Sequence, residues 1–329
     1  MEEKIEKELK WAVLGTGIIA NEMAQALEKM GKNLYAVANR THGKAVEFAE
    51  KYGVQKVYDK IEDMFTDKET DIIYITTPHN THIKFMIEAL KNGKHVLCEK
   101  SITLNSEELE EAVKIAKEKD FILGEAMTIF NMPLYTELSE IVNSGKLGDV
   151  KMIQVNFGSY KEYDMNNRFF NRNLAGGALL DIGVYAISIT RLFMTSKPDN
   201  VLSQVKYAPT GVDEQVGIIM MNKEQQMSTI ALTLHSKQPK RVVIACEKAY
   251  IEITEYPRAD KAKIVYTETG EVEEITAGMT SNALQYELQN MEESVKTGIN
   301  KMKLEYTTDV MDIMTKLRKE WGMTYPEEE

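Results

Sequence analysis

The first third of the chain alternates short apolar segments with amphipathic ones, and this alternation narrows the possible folds more than any other feature. The apolar segments span 11–14, 34–38, 71–76 and 95–98. Continuous apolar runs of this length are typical of strands that are buried on both faces. Between them, apolar residues recur at helical spacing. Strands that alternate with helices predict a parallel, doubly wound α/β sheet.

A different pattern begins near residue 125. Helices are predicted at 133–143 and 178–193, with a strand at 150–157 and a polar stretch at 159–173 between them. Six strand-like segments follow with little helix between them, at 201–207, 216–221, 227–234, 241–245, 250–254 and 264–267. Helices at 283–297 and 307–321 close the chain. Such a series predicts an α+β domain with a large, open, mostly antiparallel sheet. We expect two domains, 1–126 and 127–329.

Charge and cysteine content exclude several classes of protein. The formal net charge is −11, and an acidic chain is a poor partner for nucleic acid. Cys98 and Cys246 form no CxxC motif, so we expect a reducing compartment and no metal site. The charged N-terminus is unlike a signal peptide, and the longest uncharged stretch, 225–236, is too short to span a membrane. We therefore expect a cytoplasmic protein that does not bind membranes.

A glycine-rich turn connects the first predicted strand to the first predicted helix. It consists of Gly15, Thr16, Gly17, Ile18 and Ile19, followed by Ala20. The first glycine permits a tight turn, and the second lets the backbone approach a pyrophosphate at the helix N-terminus. Because the turn lies within a strand–helix–strand unit, it predicts a dinucleotide-binding site.

The tip of the second strand indicates which dinucleotide is preferred. It ends in Asn39 and Arg40, with no acidic residue to bind the ribose hydroxyls. The planar cation of Arg40 suits a 2′-phosphate or stacking on adenine. This pattern favours NADP over NAD, although NAD is still possible.

Two longer motifs carry a resemblance to a known family. One runs from Ile73 to Lys100 and includes Thr77, Pro78, His82 and Glu99; the other is Ala175-Gly-Gly-Ala-Leu-Leu-Asp-Ile-Gly-Val-Tyr185. Over nearly its whole length the chain resembles the glucose–fructose oxidoreductase / inositol dehydrogenase (Gfo/Idh/MocA) family. Thr210–Asp213 and Trp321–Pro326 are similar to its dimeric dihydrodiol dehydrogenase branch. The resemblance implies an N-terminal Rossmann domain and a C-terminal sheet that forms a homodimer.

The resemblance also assigns roles to three residues. Lys100 matches the family's catalytic lysine, Asp181 matches the aspartate that orients the substrate, and Tyr185 occupies the position of the acid/base. Lys100 follows a parallel strand, where such folds bind ligands, and Asp181 and Tyr185 are four residues apart, so both share one helix face. A nearby ammonium favours the phenolate. The roles of Tyr185 and Lys100 could also be exchanged.

The matched motifs imply further contacts. The resemblance places the cofactor against the glycine-rich turn, Asn39, Arg40, Thr77, Pro78, His79, His82, Glu99 and Lys100. The substrate is expected against Arg168, Asp181 and Tyr185.

Four positions depart from the family pattern. Ser101 stands where the family usually has proline after the lysine, which puts the backbone shape at Lys100 in question. Phe130 and Met132 stand where many relatives have arginine and histidine, so one wall of the pocket is expected to be less polar. Asn167 replaces a common tryptophan before Arg168.

These features predict an NADP-linked oxidoreductase that interconverts a carbinol and a carbonyl on a sugar, cyclic polyol or dihydrodiol. Two alternatives stay open from the sequence. One is a regulator that binds NADP without catalysis, and the other is an NAD-dependent glycoside hydrolase on the same fold.

Overall fold

The N-terminal half is built on a parallel sheet of six strands in a computed structural model that describes residues 8–329. The strands are β1 (Trp11–Leu14), β2 (Ala36–Ala38), β3 (Lys56–Val57), β4 (Ile72–Ile75), β5 (His95–Glu99) and β6 (Leu123–Ala126). Their order is β3-β2-β1-β4-β5-β6, and every adjacent pair is parallel. The predicted doubly wound sheet is confirmed. The charged segment 1–7, which we took as unlike a signal peptide, lies outside the described residues.

The helices of this half connect successive strands. They are α1 (Ile18–Lys29), α2 (His42–Tyr52), α3 (Ile61–Thr66), α4 (His82–Lys91) and α5 (Ser106–Lys119). Asn105 is the N-cap of α5 and accepts a hydrogen bond from the Glu108 backbone N–H at 2.9 Å, as asparagine commonly does at this position. The pattern did not predict β3 and α3, because both are too short for a periodic signal.

A second sheet of eight strands fills the C-terminal half. The strands are β7 (Val150–Gly158), β8 (Asn200–Tyr207), β9 (Asp213–Met221), β10 (Met227–Thr233), β11 (Gln238–Cys246), β12 (Ala249–Thr254), β13 (Lys261–Tyr266) and β14 (Val272–Thr276). Their order is β14-β13-β12-β11-β7-β10-β9-β8, with β7 and β10 as the parallel pair. The mostly antiparallel sheet is confirmed, with β14 as an additional edge strand.

Three helices precede or cover this sheet: α6 (Thr128–Asn131), α7 (Pro133–Asn143) and α8 (Val184–Phe193). A π-helical turn, Leu179–Gly183, leads directly into α8. The longer segment Arg172–Phe193 is apolar and long enough to cross a membrane, but 83% of its most apolar window is buried inside the fold, as expected of a core helix.

The last two helices return to the first sheet. They are α9 (Ala283–Thr297) and α10 (Leu304–Glu320). The indole N–H of Trp11 on β1 donates to Glu292 on α9 at 3.0 Å, and Leu288 and Met291 pack in the same apolar cluster as Trp11. The N-terminal sheet is therefore completed by C-terminal residues. A division of the chain after residue 126 stays a prediction.

Candidate active site

A cleft of about 550 Å³ lies where the carboxyl ends of β1, β4 and β5 meet the π-helical turn. Ligands of open α/β sheets bind at this edge. Its lining contains residues from both halves of the chain: Gly17, Ile18, Ile19, Thr76, Thr77, Pro78, His79, Glu99, Lys100, Arg168, Leu174 and Tyr185. Most of the predicted cofactor and catalytic residues therefore share one cleft. The predicted site residues omitted Thr76, which lies within the first motif, and Leu174, which directly precedes the second.

The glycine-rich turn is shaped to admit a ligand at the N-terminus of α1. Gly15 has φ +111°, and a Cβ there would lie 2.5 Å from Thr76 Oγ1, so only glycine fits between the two strands. A Cβ on Gly17 would meet no atom within 4 Å, and no side chain caps the helix. Ile18 is 84% exposed. Free N–H groups beside open space suit the pyrophosphate of a dinucleotide.

Asn39 and Arg40 lie next to this turn at the end of β2. The Asn39 amide donates to Thr16 Oγ1 at 2.5 Å, and Asn39 Oδ1 accepts from the Thr41 backbone N–H. Asn39 thus links the two loops. Arg40 is exposed and has no ion-pair partner among residues 8–329. Its guanidinium is available to a ligand phosphate.

Lys100 joins the two halves of the site. Its Nζ donates to the Asp181 carbonyl oxygen at 2.7 Å and lies 3.3 Å from the Asp181 carboxylate. The same ammonium lies 4.8 Å from the centroid of the Tyr185 ring. Burial would lower the pKa of Lys100, but the charges of Tyr185 and Asp181 outweigh it and raise that pKa. Lys100 is therefore a cation at neutral pH.

Asp181 is the carboxylate that Lys100 and Arg168 share beside the cleft. Burial would raise its pKa, but Lys100 and Arg168 hold the pKa below its ordinary value. The Arg168 guanidinium lies 3.7 Å from Asp181 Oδ1 and is 61% exposed. A carboxylate between two cations is fixed in place and can still accept a hydrogen bond from a substrate hydroxyl.

Tyr185 keeps its proton at neutral pH. Burial raises its pKa above the ordinary value, and the Lys100 ammonium opposes that rise. The ring packs on Phe157 with the centroids 6.2 Å apart. Asp181 lies in the π-helical turn and Tyr185 in the first turn of α8, and both reach Lys100, as their spacing predicts.

The two histidines of the site differ in position. His79 lines the cleft, and its Nε2 donates to the Lys100 carbonyl oxygen at 3.0 Å. Burial, followed by the charges of His82 and Lys100, lowers the pKa of His79 to about 3. His82 is fully buried and lies between the carbonyl oxygens of Thr77 and Ser101, at 2.7 and 3.1 Å. His82 positions these two loops and does not line the cleft.

The departures from the family pattern have different consequences. The Lys100–Ser101 peptide bond is cis, and the buried Ser101 hydroxyl donates to the Leu180 carbonyl oxygen at 2.9 Å. Ser101 thereby links the lysine loop to the π-helical turn. Phe130 and Met132 are buried in the core and do not line the cleft. The expectation that they make a pocket wall less polar is wrong, because α6 and the residue that follows it bury both side chains in the core.

Sequence reasoning missed the role of Asp213. This fully buried residue accepts a hydrogen bond from the Leu179 backbone N–H at 2.6 Å through Oδ2, at the start of the π-helical turn. Its Oδ1 has no partner among the described residues, and burial raises the pKa of its carboxyl to about 7. The Thr210–Asp213 motif marked this residue in the sequence. The motif did not reveal its role, because Leu179, which Asp213 contacts, lies 34 residues away in sequence.

Comparison with known proteins agrees with this geometry. Residues 9–127 match the family described as an oxidoreductase family with an NAD-binding Rossmann fold, and residues 135–252 match the GFO/IDH/MocA C-terminal domain. A trans-1,2-dihydrobenzene-1,2-diol dehydrogenase from Xenopus laevis is 30% identical, covering 96% of this chain and 99% of the relative. The human enzyme of the same name is 26% identical, covering 97% and 99%.

Two solved structures share the fold. A 3-ketoreductase from Actinomadura kijaniata, in complex with NADP and TDP-benzene, has a TM-score of 0.85 at 18% identity and covers 95% of this chain and 98% of its own. A levoglucosan dehydrogenase in complex with NADH and L-sorbose has a TM-score of 0.84 at 16% identity and covers 94% and 96%. The chain therefore belongs to the GFO/IDH/MocA family of NAD(P)-dependent oxidoreductases, in the branch that contains the dihydrodiol dehydrogenases.

Proposed function

We propose that the chain is an NADP-preferring dehydrogenase or reductase that interconverts a carbinol and a carbonyl on a sugar, cyclic polyol or dihydrodiol. The convergence of Lys100, Asp181 and Tyr185 beside the N-terminus of α1 carries the proposal. Its substrate range is supported by the names of similar proteins, a dihydrodiol dehydrogenase, a levoglucosan dehydrogenase and a 3-ketoreductase.

The cofactor would be held by the N-terminus of α1 through its diphosphate and by Thr77, Pro78 and His79 near the nicotinamide. When bound, the nicotinamide supplies or accepts the hydride. The exposed Arg40 supports NADP as the preferred form, because a guanidinium binds a 2′-phosphate with charge-assisted hydrogen bonds.

The protein's own part is to move one proton and to hold the substrate. The Tyr185 hydroxyl has no hydrogen bond within the described residues, so it is free to bond the substrate oxygen. In reduction it donates its proton to that oxygen; in oxidation it must first lose the proton, and the Lys100 cation lowers the cost of that loss. Asp181 accepts from a neighbouring substrate hydroxyl.

The protonation state at neutral pH favours one direction. Tyr185 is protonated, Lys100 is charged and His79 is neutral. Proton donors are in place for carbonyl reduction without any prior step. We therefore expect oxidation to require higher pH than reduction does.

An absorbance screen tests the proposal. The purified protein with NADP would be mixed with aldoses, inositols and diols, and with NADPH and the corresponding ketones. Formation or consumption of NADPH in solution supports a dehydrogenase. Tight NADP binding with no turnover on any compound contradicts it, and glycoside hydrolysis without net NADPH identifies the hydrolase instead.

We also propose a homodimer through the open face of the C-terminal sheet. One row of paired residues on that face is apolar across seven strands: Met221, Met227, Met152, Ala245, Tyr250, Val265 and Val272. Leu202 and Ile219 pair in the adjacent row and are 62% and 46% exposed. An exposed apolar surface of this extent is typical of a protein interface. The two free cysteines, Cys98 and Cys246, support a cytoplasmic location.

A further inference from the structure

Two cations lie against one aromatic ring at the mouth of the cleft. Lys161 Nζ is 4.1 Å, and the Arg168 guanidinium carbon 4.3 Å, from the centroid of Phe169. Arg168 lines the cleft and lies 3.7 Å from Asp181. Phe169 therefore places the Lys161 ammonium next to the proposed substrate site. Neither Lys161 nor Phe169 belongs to the motifs that identify the family.

The negative charge nearby does not balance these cations. Asp181 is shared by Lys100 and Arg168, and no carboxylate of residues 8–329 lies within ion-pair distance of Lys161. The Glu99 carboxylate accepts hydrogen bonds from the Tyr74 hydroxyl and from the Lys100 backbone N–H. Lys161 thus lies near two cations, Lys100 and Arg168, that already share the Asp181 carboxylate. Burial and then the charges of Arg168 and Lys100 lower the pKa of Lys161, although Asp181 opposes them.

This excess of positive charge is unusual for the molecule. The chain as a whole has a net charge of −11, whereas Lys100, Lys161 and Arg168 gather around Phe169 and Asp181. Like charges held together raise the free energy of the empty site, and an anion that binds between them removes that cost. The ring of Phe169 partly compensates the two cations while the site is empty.

We propose that the substrate carries an anionic substituent, a phosphate or a carboxylate, which Lys161 and Arg168 bind while Lys100 and Tyr185 face the reacting carbon. This inference rests on the proposed function. Arg168 offers a planar pair of donors and Lys161 a compact charge, a combination that suits the oxygens of either group. A neutral polyol would offer Lys161 no anionic partner and Arg168 none beyond Asp181.

The test compares glucose with two of its anionic derivatives. Glucose, glucuronate and UDP-glucose are assayed with NADP, in both the wild-type protein and Lys161→Gln, with Lys237→Gln as the matched control. Lys237 is an exposed lysine of the neighbouring loop before β11. We expect a lower KM for an anionic sugar than for glucose. Lys161→Gln should raise that KM roughly 10- to 100-fold, the usual effect of losing a charged contact, with a smaller change for glucose. Lys237→Gln should behave as wild type.

The three sugars also distinguish the source of the charge. Preference for glucuronate identifies a carboxylate, and preference for UDP-glucose a phosphate. Equal use of glucose and both anions, or an equal effect of Lys161→Gln on all three, overturns the inference. A matching loss of NADP affinity in Lys161→Gln also overturns it, since the cation would then serve the cofactor.

Calorimetric titration of the NADP-loaded protein separates this inference from the proposed function. Salt-sensitive binding of an anionic sugar that is lost in Lys161→Gln supports the anion site even without turnover. Turnover of neutral sugars only supports the dehydrogenase and removes the anion site. No binding of either anion by calorimetry overturns the inference directly.

Discussion

The ammonium of Lys100 lies over the face of the Tyr185 ring, 4.8 Å from its centroid, while it donates to Asp181. The two side chains come from segments 85 residues apart, the end of β5 and the start of α8. A cation in this position lowers the pKa of the phenol, although burial keeps that pKa above its ordinary value. The Tyr185 phenol is therefore easier to deprotonate than the same buried phenol would be without the Lys100 cation.

Removal of this cation tests its electrostatic role. In Lys100→Met the pKa of Tyr185 should rise further. Oxidation should then require a higher pH, and turnover should fall. The measurement is the pH profile of kcat/KM. Lys100→Arg is the matched control, because it keeps the charge but cannot lose a proton. An unchanged pH profile in Lys100→Met would show that Lys100 does not lower the pKa of Tyr185. If Lys100→Arg is inactive while Tyr185→Phe stays active, then Lys100 rather than Tyr185 is the acid/base.

Arg40 should decide the preference between cofactors. A charge-assisted contact contributes about 1.5–3 kcal/mol, so Arg40→Ala should weaken NADP binding roughly 10- to 150-fold and leave NAD binding nearly unchanged. Titration calorimetry with both cofactors measures this. Lys91→Ala, at the exposed end of α4, is the control. Equal losses for both cofactors, or tighter binding of NAD by the wild type, would contradict the assignment.

The open sheet face should hold two copies together. A charge placed there, as in Ile219→Lys combined with Tyr250→Glu, should convert the dimer into a monomer without unfolding it, because both side chains point away from the core. Light scattering at micromolar concentration reports the mass. Ile299→Lys changes an exposed isoleucine outside the sheet and should remain a dimer. A wild-type monomer would rule out this interface.

Asp213 should make the stability of the fold depend on pH. Its carboxyl has a pKa of about 7 in the folded protein, against 3.8 as the ordinary value. The folded state thus binds this proton more tightly, and the free energy of unfolding should fall as pH rises from 3.8 to about 7. Asp213→Asn still accepts from the Leu179 N–H but cannot ionise.

Urea unfolding at about pH 5 and about pH 8 measures this effect. Relative to wild type, Asp213→Asn should gain stability at the higher pH, by at most about 1.4 kcal/mol per pH unit. Asp199→Asn changes an exposed aspartate and should not alter the slope. A parallel pH dependence in Asp213→Asn and wild type would show that Asp213 does not titrate in this range.

Local pattern was enough to predict the N-terminal sheet and the position of Lys100. Both depend on short-range signals: apolar strands, helical spacing, and a glycine turn whose Gly15 must pack against Thr76. The series of short apolar segments predicted the second sheet. It did not predict β14, because Val272-Glu-Glu-Ile-Thr276 has too few apolar residues to be recognised as a strand.

Long-range contacts could not be predicted from pattern. Asp213 at the start of β9 accepts a hydrogen bond from Leu179 of the π-helical turn, and Ser101 reaches Leu180 across 79 residues. Lys161 has no sequence signal at all; its position depends on where Phe169 packs. Such contacts arise from tertiary packing, which no local periodicity encodes.

Turnover of Tyr185→Phe is the most direct test of the proposed mechanism. The substitution removes a single oxygen from a ring that packs on Phe157, so the fold and the affinity for NADP should survive. Turnover should fall by roughly two to four decades, the usual contribution of a positioned acid/base. If Tyr185 and Lys100 form one relay, the double variant with Lys100→Met should cost far less than the product of the single effects. A Tyr185→Phe enzyme that binds NADP and turns over at a near-normal rate would contradict the account.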